Sequence, residues 1–283
     1  MSYKKLFFPI GGGEELRERI HGALLVNKHF GSHMSIVSFQ MDPEVVYSTR
    51  MTLRGGIMLG EFLEDAKAEL KEERELTEKI VKEECEKLGI TYSEDQHTPN
   101  SAFLRTMVGT RSELVAKQST YCDLVVASMP PHGLITGTFE AAIMKSGKPS
   151  IAIPRKMTKF NADRILLSLT GSTSSSRALS NALPLLKQAK EVICITAPHY
   201  LQEDMAETKG RITNYLDMHH IKPEFEVVKT EGKVPGQALL NAAEKYNVDL
   251  IVAGVDSNAG IREVFLGGAS KYFLENSQFP AMM

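Results

Sequence analysis

The sequence predicts an α/β protein made of two tandem, doubly wound domains, each with a parallel sheet covered by helices on both faces. Short apolar runs without polar alternation recur along the chain, as expected of strands buried on both sides. Amphipathic segments separate these runs, which favours parallel strands joined by crossover helices. The same order of elements begins again after residue 163, which indicates an internal repeat.

The composition is ordinary for a globular protein and disfavours several classes of function. The 283 residues are 42% hydrophobic and 24% charged, and the net charge of -2 predicts no basic surface for nucleic acid or anionic membrane. No apolar run approaches the roughly 20 residues that span a bilayer, and the apolar patch near the N-terminus is too short for a signal peptide. The three cysteines lie far apart in apolar segments, so we expect buried thiols in a cytoplasmic protein.

The first half should contain five strands. Apolar runs predict them at residues 4–10, 34–39, 90–93, 123–128 and 150–153. Apolar spacing predicts helices at residues 14–30, 61–88, 101–118 and 139–144, with an irregular segment at 42–60. Gly11-Gly12-Gly13 follows the first strand and is typical of either a phosphate-binding loop or a plain turn. The Walker ending Gly-Lys-[Ser/Thr] and a full GxGxxG, which would favour a phosphate-binding loop, are both missing.

A polar linker at residues 155–163 separates this half from the second. Strands are predicted there at residues 165–169, 191–196, 225–229, 250–253 and 279–283. Helices are predicted at residues 176–189, 202–219, 235–246 and 271–276, and the hydroxyl residues 173–176 are candidate N-caps of the first of them. The adjacent His219 and His220 have no Asp, Glu or Cys at the spacing that a metal site needs. Ser172 and Ser174 have no His or Asp partner at fixed spacing, so the sequence does not support a hydrolase triad.

The stretch from residue 250 to the end carries the strongest functional signal. A buried strand ends at Gly254, and Gly267-Gly268-Ala269-Ser270 leads into a helix. Glycines beside a helix start let backbone N–H groups point at an anion, and the helix dipole adds to the attraction. A sharp turn without a ligand is the alternative.

This stretch resembles the C-terminal signature of universal stress protein domains, Gly-x2-Gly-x9-Gly-[Ser/Thr] between a strand and a helix. Gly254 and Gly267 fit the pattern, whereas Ser257 and Gly268 depart from it, and Asp256 adds a negative charge. Residues 279–283 fit the last strand of the family. In the family's nucleotide-binding branch, this loop wraps the phosphates of ATP.

The resemblance covers nearly the whole chain and implies the universal stress protein fold, which is similar to that of adenine nucleotide alpha hydrolases. It divides the chain into a first domain, residues 1–154, and a second, residues 164–283. The first has a shortened loop between residues 129 and 137, and Gly11 stands where the family has an Asp that helps to hold the nucleotide. In the second domain, Thr170 takes that position.

The resemblance also implies a regulatory protein of the stress response that binds ligands or partners and carries out no turnover. The predicted ligand is ATP or another adenine nucleotide, or a related anion, bound in the second domain and not the first. Candidate binding residues are Thr170, Gly171, Ser172, Ala197, Gly254, Ser257, Gly267, Gly268 and Ser270. One alternative is a scaffold that binds no nucleotide and acts through dimer and partner surfaces; a slow nucleotide hydrolase lacks a positioned general base.

Family members commonly pair through their last strand, and this chain has two such strands, at 150–153 and 279–283. We expect the two domains to pair with each other as an intramolecular pseudo-dimer, with a homodimer of whole chains as a further step. Such pairing covers strand edges that would otherwise invite aggregation.

Overall fold

The computed structural model describes residues 3–48, 56–196, 204–227, 235–255 and 269–283. Strands and helices alternate along most of the described chain, as predicted. The strands are β1 Lys5–Ile10, β2 His33–Gln40, β3 Thr91–Tyr92, β4 Ser101–Val108, β5 Leu124–Ser128, β6 Ser150–Ile153, β7 Arg164–Ser168, β8 Glu191–Thr196, β9 Glu224–Val227, β10 Leu250–Ala253 and β11 Ala281–Met282. The helices are α1 Leu16–Phe30, α2 Pro43–Ser48, α3 Gly56–Leu88, α4 Arg111–Gln118, α5 Gly137–Glu140, α6 Thr173–Leu186, α7 Met205–Asp217, α8 Pro235–Lys245 and α9 Ala269–Asn276.

Within the described residues, one sheet of 11 strands runs through both halves of the chain, in the order β3-β4-β2-β1-β5-β6-β11-β10-β7-β8-β9. Apart from the short edge strand β3, which has no counterpart among the described strands, the order of the first half is repeated in reverse by the second, so that β1 corresponds to β7, β5 to β10 and β6 to β11. Strands within each half pair in parallel. Each half is therefore a doubly wound parallel sheet, as the sequence predicts.

The two halves meet where β6 and β11 pair in antiparallel orientation. Ala281 lies opposite Ala152 and Met282 opposite Ile151. Ser150 and Met283 extend the ladder by exchanging backbone hydrogen bonds of 3.0 and 2.8 Å. This pairing confirms the prediction that the last strands of the two halves join inside one chain. It covers one edge of each half-sheet with the other.

Helices cover both faces of the sheet, and each face has a hydrophobic core that continues across the junction between the halves. Phe8, Ile151 and Met282 lie on one face, and Phe7, Ala152 and Ala281 on the other. Neighbouring residues of one strand point to opposite faces, so strands buried on both sides must be apolar at every position. This is why the strands appear in the sequence as unbroken apolar runs.

Two predicted segments are wrong. Residues 101–118 were predicted as one helix, but residues 101–108 form β4, which pairs with β2 over eight successive residues. Local apolar spacing favoured a helix, and pairing in the sheet decides otherwise. Gly109 follows with φ of +143°, a conformation that ends the strand before α4 begins. Residues 42–60 were predicted to be irregular, but α2 and the start of α3 lie within this segment.

The three cysteines, Cys85, Cys122 and Cys194, are free thiols and buried, as predicted. Among the described residues, no helix is both long enough and apolar enough to cross a membrane.

Candidate functional site

The candidate site of the second half lies between β7 and β10, which are neighbouring parallel strands. Ser168 at the end of β7 pairs with Ala253 at the end of β10. The chain leaves β7 towards β8 on one side and leaves β10 towards β11 on the other. Ligands of open α/β sheets bind at such a switch point, outside the carboxyl ends of the strands. Thr170, Gly171 and Ser172 follow β7, and Gly254 follows β10, so the sheet brings these four predicted residues to one place.

Gly254 touches the backbone at the start of α6. A Cβ at this position would stand 2.6 Å from the Cα of Ser175, and closer still to the Ser175 nitrogen and the Ser174 carbonyl carbon. Backbone atoms cannot yield as a flexible side chain would, so the position has room for hydrogen alone. The glycine that the sequence pattern selected thus holds the end of β10 against the first turn of α6.

Hydroxyl groups line the same helix start. Thr170 Oγ1 and Ser174 Oγ each lie 2.9 Å from Ser172 Oγ. Ser172 is the N-cap of α6, because its Oγ accepts a hydrogen bond of 3.2 Å from the Ser175 amide. Gly171 has φ of +73°, which a residue with a side chain rarely adopts. The predicted Thr-Gly-Ser turn therefore has a structural role of its own, and its hydroxyl chain lies beside Gly254.

Five further residues are predicted from the sequence to belong to this site. Ala197, Ser257, Gly267 and Gly268 lie outside the described residues. Ser270 lies in the first turn of α9.

The first half has a cavity at the corresponding switch point, between the ends of β1 and β5. Its volume is about 420 Å³, and its walls include the loops after those two strands. Three arginines also line it: Arg19 from α1, Arg111 from the start of α4, and Arg155 from the segment after β6. Sequence reasoning examined the glycines of this half and missed the arginines, which are far apart in the chain and carry no motif.

Each arginine is held by backbone carbonyl groups. The buried Arg19 donates to the carbonyl oxygens of Gly11 and Gly12 at 3.1 and 3.2 Å. Arg111 donates to the carbonyl of Phe39 at 3.2 Å. Arg155 donates to the carbonyl of Glu14 at 2.7 Å and forms an ion pair with the Glu15 carboxylate, which also pairs with Lys156. These bonds fix three guanidinium groups around one cavity.

Positive charge dominates this cavity. Its lining includes three arginines but a single carboxylate, that of Glu14. Burial, together with repulsion from Arg155 and Arg111, lowers the pKa of the Arg19 guanidinium to about 10, so this group still carries its charge at neutral pH. Among the described residues, no carboxylate lies within 4.0 Å of the guanidinium nitrogens of Arg19 or Arg111. The arrangement attracts anions.

The described part of the chain contains no group of three or more His, Cys, Asp or Glu residues that would hold a metal ion.

His132 lines the first-half cavity and has the left-handed φ of +53°.

Comparison with known proteins agrees with this architecture. A model of the universal stress protein family matches residues 161–283. A universal stress protein from Archaeoglobus fulgidus has a similar structure, with a TM-score of 0.66 and 16% identity over 98% of this chain and 94% of that one. A functionally unknown protein from Pseudomonas aeruginosa PAO1 gives a TM-score of 0.53 and 14% identity over 99% and 92% of the two chains. No curated protein matches the sequence. The family match therefore covers the second half of the chain, and the similarity to solved structures shows the fold of the whole chain.

Proposed function

We propose that this chain is a tandem universal stress protein that acts by binding a ligand, and that its second half holds an adenine nucleotide or a related anion. The proposed halves are residues 1–154 and 164–283. Residues 154–163 between β6 and β7 form neither helix nor strand, which fits a boundary there. The family model matches residues 161–283, which include the whole of the second of these halves.

The observation that carries the proposal is the contact of Gly254 with the first turn of α6. It places the end of β10 and the Thr170–Ser172–Ser174 hydroxyl chain at one switch point. Hydroxyl donors and the N-terminal end of a 14-residue helix together favour a negatively charged group. In the sequence, Gly267 keeps its spacing from Gly254, which would let backbone N–H groups of the intervening loop turn towards the same ligand.

The charge of Asp256 sets a condition on this binding. At a few ångströms and an effective dielectric constant near 20, one carboxylate opposes a phosphate by on the order of 4 kcal/mol. A divalent cation between the two groups would remove this opposition. We therefore propose that the nucleotide binds the second half together with Mg²⁺.

Calorimetric titration with ATP and Mg²⁺ tests the proposal. The wild-type protein should bind, and Gly267→Val should abolish binding, because a branched side chain would prevent close approach of the loop backbone to a phosphate. Gly210→Val is a suitable control, since Gly210 lies on the exposed face of α7 with open space around it. Binding that survives Gly267→Val would place the ligand elsewhere, and a wild-type protein that binds no nucleotide would favour the scaffold alternative.

A further inference from the structure

The first-half cavity differs in kind from the site of the second half, because three arginine side chains line it beside the Gly11-Gly12-Gly13 loop. We propose that this cavity binds a small molecule through a phosphoryl group, with Arg111 and Arg19 as its principal ligands. The inference is independent of nucleotide binding in the second half.

Arg111 has the free hydrogen-bonding capacity that such a ligand needs. A guanidinium group carries five N–H donors, and among the described residues Arg111 uses one of them, towards Phe39. The residue is exposed as a whole while its guanidinium group faces the cavity, so it is accessible to a ligand from solvent. Planar, forked donors match phosphoryl oxygens in pairs, which favours a phosphoryl group over a simple monoanion.

Arg19 supplies a second cation that forms no ion pair among the described residues, and Glu15 and Glu18 offset its charge only through space. It is only 9% exposed, and its hydrogen bonds go to carbonyl oxygens, which carry no net charge. A buried charge without an ionic partner is costly, and a bound anion would supply that partner. Arg155 differs, since Glu15 already neutralises it.

Gly11 explains how Arg111 reaches its place. A Cβ on Gly11 would stand 2.9 to 3.1 Å from the nitrogen and carbon atoms of the Arg111 guanidinium group. The guanidinium group therefore lies directly over the glycine, where the family resemblance expects an Asp. This half has exchanged a carboxylate for a cation at that point, so we expect it to hold a phosphoryl group without a divalent cation.

The rest of the cavity suits the organic part of a small molecule. Its volume of about 420 Å³ lies within the range of roughly 300–1,000 Å³ that is usual for such sites. Met129, Pro130 and Phe139 provide an apolar wall. The hydroxyl of Ser128, also in the lining, is buried and has no hydrogen-bond partner among the described residues. A ligand hydroxyl or phosphoryl oxygen would satisfy it.

Two carboxylates limit which anions fit. Glu14 lines the cavity, and the Glu73 carboxylate lies beside Gly12. They disfavour a ligand that spreads negative charge over the whole cavity, and favour one whose charge is concentrated near Arg111 and Arg19. A phosphorylated small molecule with an uncharged body meets this requirement.

Titration of the full chain with phenyl phosphate in the presence of EDTA tests the inference, because this probe joins one phosphoryl group to an uncharged body. Phenyl phosphate should bind the wild-type protein, and Arg111→Gln should weaken binding about tenfold or more, as expected for loss of a charged hydrogen bond. Gly11→Ala should weaken it similarly, because the added methyl group displaces the guanidinium group. Since Arg111 is exposed and Gly11 has no positive φ, both variants should keep the unfolding temperature of the unliganded wild type.

The matched control is Arg105→Gln, which removes an exposed arginine whose partner is Glu94 on the surface. It should leave the affinity unchanged. Absence of binding to the wild type, binding that persists in both cavity variants, or an equal loss in Arg105→Gln would each overturn the inference. Loss of binding in Thr170→Val instead of Arg111→Gln would place the anion in the second half, which would overturn this inference and support the proposed function.

Discussion

Met282 of β11 lies opposite Ile151 of β6, and this antiparallel pair joins the two halves of the sheet. Both side chains are fully buried in the same hydrophobic core. The chain thereby forms within one polypeptide the pairing that the family resemblance leads us to expect between two. The halves should consequently depend on each other for stability.

Substitution at this junction should destabilise the whole protein. Met282→Asp would bury an unpaired carboxylate, so the free energy of unfolding should fall by about 3 kcal/mol or more. Met218→Asp is the control, because Met218 is 80% exposed and should change stability by less than about 0.5 kcal/mol. Urea denaturation measures both. Equal stability of the two variants would show that the junction does not hold the halves together.

Gly254→Ala tests the close approach of β10 to α6. The methyl group would collide with the backbone of Ser174 and Ser175, and relieving this overlap should cost about 1–3 kcal/mol. Gly210→Ala makes the same chemical change in the interior of α7, where space is open. There we expect a gain of up to about 1 kcal/mol, since alanine favours a helix. Thermal unfolding should therefore shift in opposite directions, and a Gly254→Ala protein as stable as the wild type would contradict the described contact.

The buried carboxylate of Glu84 should make stability depend on pH. Burial opposes its ionisation, but hydrogen bonds from Arg17 and His21 prevail and lower the pKa of Glu84 below its usual value of 4.5. A carboxyl with a lowered pKa stabilises the fold above the pKa of the unfolded chain, and this contribution is lost as the pH falls through the folded-state pKa. Glu84→Gln should thus cost about 1–3 kcal/mol at pH 7.

The difference between Glu84→Gln and the wild type should shrink as the pH falls below 4.5. Glu83→Gln removes the other, exposed partner of Arg17 and should cost less than about 1 kcal/mol. Urea titrations at several pH values measure these effects. If the cost of Glu84→Gln does not vary with pH, the ionised Glu84 carboxylate does not stabilise the fold through its charge.

The three cysteines should be unreactive in the folded protein. Burial raises the pKa of Cys85 and Cys194 to about 12 and that of Cys122 to about 11, so thiolates are scarce at pH 8. A chromogenic disulfide reagent should react slowly with the native protein and quickly with three thiols per chain in guanidinium chloride. Rapid reaction of the native protein would show that one of these side chains is accessible.

Much of the fold could be predicted from the sequence, because strands buried on both faces must be apolar throughout. The runs around Phe8, Val126, Leu166 and Val252 all form strands in the structure. The residues of β4 could not be assigned in this way, because polar Arg105 and Thr106 interrupt their apolar pattern, and pairing with β2 decides their conformation. Local patterns do not contain that information.

The two candidate sites also differ in whether a local sequence pattern reveals them. Gly254 and Ser172 belong to a local pattern that the sequence displays, and the structure gives both a definite role in the turn around α6. Arg19, Arg111 and Arg155 have no such pattern. They come from two helices and the segment after β6, which only the topology of the sheet brings to one cavity.

Hydrogen–deuterium exchange of the full chain, with and without ATP and Mg²⁺, tests most directly whether the second half holds the nucleotide. The account predicts slower exchange in peptides that cover residues 169–176 and 254–270, at the switch point between β7 and β10. Slower exchange of residues 9–13 and 127–139 alone, or no change in either half, would contradict it.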